Sequence, residues 1–315
     1  MTAAEEFNTL CRVNKKSEMG NSSSGSFCQN ILLFFGFGTR NRDALLSEYE
    51  HLLQDDGKNT RQFCSLKKLF TEDWKSYIKA NGHYGSYRFI NTCVLDALLV
   101  ALHVCHTKYK HIQELFQSDR TMYPVMAFLD QHRYNEAKAL WLMKLNLFSD
   151  DCNFKMSGTV NVWSTVKDHL PMFYDMKSSR DHFSETGANH GAADRLHKSI
   201  LGEFQRFKEV ISLGSYGDPC LILINSDAGM DRAPPLKVKD KYDRTFELQF
   251  MLLWKKSVPV EHMVVCCNLG DQWVLYDNNP DVPPDQDFNF DSADYKNQYP
   301  IYLTGYVNTT QQERE

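Results

Sequence analysis

Three side chains, far apart in the chain, have the types that acyl transfer through a thiol requires: Cys93, His262 and Asp277. Cys93 directly precedes Val94, Leu95, Ala97, Leu98, Leu99, Val100, Ala101, Leu102 and Val104, a run that leaves almost no polar face and predicts a helix buried on most sides. A thiol at the entrance of that helix sits at the positive end of the macrodipole, among first-turn N–H groups that have no intrahelical partner. Both features favour the thiolate. Taken alone, Cys93 reads more readily as inert core packing, as most buried cysteines are.

A second segment changes the balance. Residues 260–277 read as two strands joined by a turn at Asn268, Gly270 and Asp271. His262 begins the first strand and Asp277 ends the second, so an antiparallel hairpin brings them side by side. The carboxylate can then accept a hydrogen bond from one ring nitrogen while the other faces a thiol, the logic of a Cys-His-Asp triad. Singly, His262 is a strand-end histidine and Asp277 a turn residue before Asn278-Asn279-Pro280; together with Cys93, the triad is the better reading.

The elements around these residues follow from pattern. Residues 1–60 form an N-terminal extension whose first 26 or so residues are polar and expected to be disordered. Residues 61–308 are expected to form the catalytic domain, and 309–315 a frayed tail. Between 41 and 80, Leu45-Leu46, Tyr49 and Leu52-Leu53 recur at helical intervals. The glycine-rich stretch Asn81-Gly82-His83-Tyr84-Gly85 reads as a loop able to offer N–H groups to an oxyanion, or as an ordinary loop. Residues 110–170 are helical in pattern until Pro171. The small polar stretch 186–194, containing His190, leads into a helix expected to reach about Val210. Beyond 215 the period shifts to strands at 220–224, 246–254, the hairpin and 301–307. Loops are expected at 226–244 and, with acidic character, at 281–294. Helices first and strands later give an α+β fold.

Composition bounds the partners. The 315 residues are 42% hydrophobic and 13% aromatic, enough for a sizeable core. A net charge of −5 without a basic stripe argues against nucleic acid as the primary ligand. The apolar run Ile31–Phe37 is far shorter than the ~20 residues that span a bilayer, and it comes too late for a signal peptide. With Thr at position 2, N-myristoylation is not expected either, and neither is a membrane anchor. Nine cysteines without paired spacing point to a reducing compartment, cytosol or nucleus, and to no zinc site. Cys266 and Cys267 should face opposite sides of a strand. His103 and His106 are expected to mark the emergence of the buried helix at His106-Thr107-Lys108, not a metal site.

The run Asn91-Thr92-Cys93-Val94-Leu95-Asp96 resembles the cysteine box of ubiquitin-specific proteases, Asn-Thr-Cys-Tyr-Met/Leu-Asn-Ser. His262 followed by Trp273 and Tyr276-Asp277 resembles their histidine box, and the order of the boxes agrees. The resemblance covers about a tenth of the chain. It implies a papain-like cysteine peptidase fold, with a helical lobe carrying a central nucleophile helix followed by an antiparallel β-sheet lobe. It also implies a thiol-dependent deubiquitinase that cleaves after the C-terminal glycine of ubiquitin or a ubiquitin-like modifier. Cys93, His262 and Asp277 would be catalytic, Asn91 and Asn278 would support the oxyanion, and no metal or cofactor would be needed. Three positions depart from the pattern: Arg88 stands where the family places an oxyanion-stabilising Asn or similar residue, Glu261 replaces Gly, and Met263 replaces Tyr. The paired cysteines of the family's zinc fingers are also missing. A transglutaminase-like or acyltransferase enzyme and an inactive ubiquitin-binding module remain alternatives.

Overall fold

The computed structural model describes residues 65–145, 158–184 and 208–310, apart from short breaks, the longest at 257–261. Apart from Ser47, the residues before 65, the stretch around His190 and residues 311–315 lie outside the described residues. So do the expectations of disorder, helix and loop placed on them.

The helical part begins with α1 (Leu66–Thr71). A hairpin of β1 (Gly82–Tyr84) and β2 (Tyr87–Ile90) leads directly into α2 (Cys93–Lys108), followed by α3 (Lys110–Ser118), α4 (Met122–Asp130) and α5 (Tyr134–Leu145). Then come β3 (Gly158–Asn161) and two short helices, α6 (Val166–His169) and α7 (Pro171–Tyr174). The rest of the described chain is sheet: β4 (Ser179–Ser184), β5 (Glu209–Ser215), β6 (Asp218–Met230), β7 (Lys237–Lys239), β8 (Thr245–Lys255), β9 (His262–Asn268), β10 (Trp273–Tyr276) and β11 (Ile301–Asn308). The fold is α+β.

The large sheet is antiparallel throughout, in the order β10-β9-β8-β11-β6-β5-β4. One edge of the long strand β8 is divided, with β7 pairing on 245–247 and β9 on 250–255. Both faces of its centre are covered, which explains the unbroken apolar run Met263-Val264-Val265-Cys266-Cys267 in β9. Val264 and Cys266 join Phe246, Leu248, Met251, Ile222 and Tyr306 in the core on one face. The helix α2, buried from Val94 to His106, packs on β9 and β8. At the sheet's middle, Gly305 lies opposite Phe250, and a Cβ there would come within 2.1 Å of the Phe250 ring.

A second, three-stranded sheet contacts α5 through β1: β1 pairs antiparallel with β2, and β2 pairs parallel with β3. Here the structure replaces the expected glycine-rich loop with a hairpin. Gly82, at φ 152°, is required because a Cβ would meet Asn135 Oδ1 at 2.4 Å.

Other departures have local causes. Strands begin before 215, because Glu209-Val210-Ile211-Ser212-Leu213, with β-branched Val210 and Ile211, is a buried run that pairs with β6; Val210 is in a strand, not at a helix end. Helix α6 stops at His169, just before Pro171, and Pro171 itself opens the short helix α7, where its missing N–H is harmless. Strand β6 runs on to Met230 and β7 occupies 237–239, both within the expected loop 226–244. The acidic segment after β10 is packed: Asp285 bridges Leu275, and Phe288 clusters with Tyr295 and Tyr299. Residues 309 and 310 still bond to Thr245, two residues into the tail expected to fray. His106 does not emerge; it is buried, because Asp130 of α4 offers one carboxylate oxygen to it and the other to His103, each at 3.3 Å.

Candidate active site

Cys93 is the first residue of α2, half-buried, and its position is dictated by the hairpin that precedes it. Asn81 and Asn91 both adopt left-handed backbone (φ 65° and 59°), a conformation Asn tolerates better than most residues. They are joined, since the Asn91 N–H donates to Asn81 Oδ1 at 3.1 Å. One Nδ2 proton of Asn91 goes to Asn161 Oδ1 at 2.9 Å, fixing the turn to the end of β3. An Nδ2 group has a second proton to give.

On the sheet side, His262 opens β9 and Asp277 follows the last residue of β10. The His262 Nε2 atom lies 2.7 Å from Asp277 Oδ1. The same oxygen accepts the Asn279 N–H at 2.9 Å, an Asx turn that aims the carboxylate, and Lys255 Nζ donates to Oδ2 at 3.0 Å. Lys255 is the register partner of His262 across β8 and β9, so the lysine and the histidine reach the carboxylate from adjacent strands. With Nε2–H donating to Asp277, Nδ1 is the nitrogen left to interact with Cys93, whose sulfur helps hold a proton on the ring.

These contacts set the charges. Burial pulls the His262 ring down, but the bonds and charges of Asp277 and Cys93 outweigh it and push the ring up to about 9. Burial also works against the Asp277 carboxylate, yet His262, the Asn279 N–H and Lys255 hold it well below the usual carboxylate range. A further cation stands nearby. Lys79 Nζ lies 4.7 Å from the centroids of both Trp74 and Tyr276 and has no hydrogen-bond partner. Burial lowers Lys79 to about 8, with Asp277 and Asp96 pulling the other way.

The residues expected at the site are distributed unevenly. His262 is hydrogen-bonded to Asp277, and Cys93 is near enough to the ring to raise its affinity for a proton. Asn278 is buried, and its Nδ2 donates to the buried Asp96 Oδ2 at 2.6 Å. Arg88 is exposed on β2, opposite His83. Met263 is buried in the core, opposite Trp254. Glu261 lies outside the described residues. Among the described residues no cluster of His, Cys, Asp or Glu is placed to hold a metal ion, and no helix is long and apolar enough to cross a membrane. Lys255, Lys79 and Lys138 were not singled out from sequence. Only the strand register could have signalled Lys255; the other two lie in helical or loop segments with no pattern to mark them.

The arrangement sets a thiol at a helix entrance near an imidazole that a carboxylate holds, the groups that thiol-based acyl transfer uses. No protein-family model matches the chain, and neither does any curated protein sequence. Among solved structures it is similar to the SAGA Ubp8/Sgf11/Sus1/Sgf73 DUB module, with 11% identity and a TM-score of 0.36, covering 85% of this chain and 73% of that chain. A yeast SAGA DUB module gives 13% identity and a TM-score of 0.37, covering 85% of this chain and 72% of that chain. The same module bound to monoubiquitin gives 12% identity and a TM-score of 0.38, covering 90% and 82%. Likeness at this level fixes neither architecture nor chemistry, which rest on the residues themselves.

Proposed function

We propose that the chain is a cysteine-type deubiquitinase of papain-like architecture, acting in the cytosol or nucleus on the bond after the C-terminal glycine of ubiquitin or a ubiquitin-like modifier. The observation that carries this reading is the His262 ring, hydrogen-bonded to Asp277 at 2.7 Å and within electrostatic reach of the thiol that begins α2. The substrate class comes from the likeness of residues 91–96 and 262–277 to the cysteine and histidine boxes of ubiquitin-specific proteases.

In this mechanism the Cys93 proton passes to His262 Nδ1, and the sulfur attacks the glycine carbonyl carbon. The carbonyl π pair moves onto oxygen, and that oxyanion is received by N–H groups at the start of α2 and by the second Nδ2 proton of Asn91. As the C–N bond breaks, His262 returns its proton to the departing amine, leaving a thioester on Cys93. Water, deprotonated by the same nitrogen, adds to the thioester and releases the carboxylate and the thiol. Asp277 keeps Nε2 protonated throughout, so Nδ1 is always the nitrogen that exchanges the proton. Lys255 and the Asn279 N–H keep Asp277 charged and aimed.

The test is hydrolysis of ubiquitin carrying a C-terminal fluorogenic amide. The wild type should release the fluorophore and Cys93→Ala should not. Equal rates in the two proteins would remove Cys93 from the chemistry.

A further inference from the structure

We propose that Asp96, with Lys138 as its counter-ion, is the positioning residue that fixes Cys93 relative to His262 and Asp277, an inference that rests on reading those three as the reacting group. Asp96 lies one turn into α2 and is fully buried. It touches neither the thiol's partner nor the carboxylate, but it holds the neighbour of each. Thr92, which precedes Cys93, donates its hydroxyl to Asp96 Oδ2 at 2.6 Å. Asn278, which follows Asp277, donates Nδ2 to the same oxygen, also at 2.6 Å. One carboxylate oxygen therefore ties together the start of the helix and the end of the hairpin, 182 residues apart in sequence.

The other oxygen, Oδ1, faces Lys138 Nζ of α5 at 2.7 Å. The remaining ammonium protons of Lys138 go to the backbone carbonyls of Lys79 and of Asn81, the latter at 2.6 Å. Asn81 in turn gives its N–H to Thr92 Oγ1 at 2.8 Å, and the Ala80 N–H donates to the Asn278 carbonyl at 2.8 Å. The pair thus fixes the strained turn 79–81, the residue before the nucleophile and the residue after the acid in a single buried network.

Two physical points separate positioning from simple stability. Thr92 is the N-cap of α2, yet its hydroxyl makes no capping bond, because Asp96 and the Asn81 N–H occupy it. A helix whose own cap is diverted keeps its first-turn N–H groups open, and here they lie beside Cys93. Moreover, a fully buried ion pair is commonly no more stable than apolar side chains of similar volume, so its contribution is sought in geometry.

That contrast supplies the experiment. In Asp96→Leu/Lys138→Met the pair is exchanged for apolar side chains; Thr92→Val and Asn278→Ala each remove one donor and leave the pair in place. Chloroacetamide alkylation of Cys93 in the full chain is followed by peptide mass spectrometry from pH 6 to 10, with thermal melts alongside. The expected result is a double variant that melts cooperatively while Cys93 alkylates at least about 10-fold more slowly, with its pH profile displaced. Thr92→Val and Asn278→Ala should show smaller losses of the same kind. A folded double variant, or folded single variants if the double does not fold, with the wild-type rate and pH profile would overturn the positioning role alone. A wild type whose Cys93 alkylates no faster than in denaturant would overturn the reacting group and this inference with it, and so the two failures are distinguishable.

Discussion

Asp277→Asn preserves the shape of the orienting residue and removes its charge, which isolates what the carboxylate does to His262. The ring stands at about 9, against 6.5 for an unperturbed histidine. At ~1.36 kcal/mol per pH unit that rise corresponds to ~3.4 kcal/mol favouring the imidazolium, and the ring's partial exposure to solvent trims it to about 2 kcal/mol. In the variant, the pull of burial remains and only Cys93 still holds the ring up, so the ring should titrate well below 9, towards the ordinary 6.5. The population holding a protonated His262 beside a charged sulfur should then fall by about 30-fold at neutral pH, and Cys93 alkylation with it.

Stability should follow the same titration. The folded midpoint of His262 lies above the unfolded one, so its contribution is complete below about 6.5 and is lost as the pH rises through about 9. Asp277 behaves oppositely: its folded midpoint is depressed, so its contribution is present above the ordinary value of 3.8 and is lost in acid. The wild type should therefore lose stability between pH 6.5 and 9, and Asp277→Asn should not. The assays are a ring-proton NMR titration of His262 and urea unfolding across that range. A His262 ring that still titrates near 9 in the variant would refute the reasoning.

Three further perturbations test the frame around the site. Tyr276→Phe removes a hydroxyl that donates to the buried Tyr77 carbonyl at 2.5 Å, and should cost about 1–3 kcal/mol by chemical denaturation; a neutral effect would mean that bond is unimportant. Gly305→Ala drives a methyl group into Phe250 and should cost about 1–3 kcal/mol or more, seen as a lower melting temperature; an unchanged melt would show that the sheet relaxes freely there. Lys79→Met removes an ammonium whose charged form the fold disfavours below about 8. The variant should therefore melt higher than the wild type at pH 7, with the gain closing by about pH 10.5. A lower melt at pH 7 would show that the two ring contacts outweigh the lost hydration.

The sequence carried the site further than it carried the frame. Cys93 was legible because an apolar run without a polar face demands a buried helix, and the residue before such a run is fixed at its entrance. His262 and Asp277 were legible because a short hairpin brings the ends of its strands together. Asn278 stood next to Asp277 in the sequence, but its direction is decided by Asp96, which a reading of local pattern treats only as a polar residue in a helix. Lys138 was invisible for the same reason: nothing local distinguishes a lysine whose three protons are spent inside the core from one at the surface. Strands β1 to β5 and β7 were missed because most are short or flanked by polar residues, and long-range pairing decides them more than propensity does. His106 was read as a surface residue because its partner, Asp130, lies on another helix.

The central claim is that Cys93 is the nucleophile that a ubiquitin-like tail reaches and that His262 drives. Its most direct test is incubation with ubiquitin bearing a C-terminal electrophile, followed by intact-mass and peptide mapping. The account predicts one ubiquitin added per chain, mapped to Cys93, with the rate greatly reduced in His262→Ala and no adduct in Cys93→Ala. An adduct on a different cysteine, or labelling of Cys93 that is indifferent to His262, would contradict it.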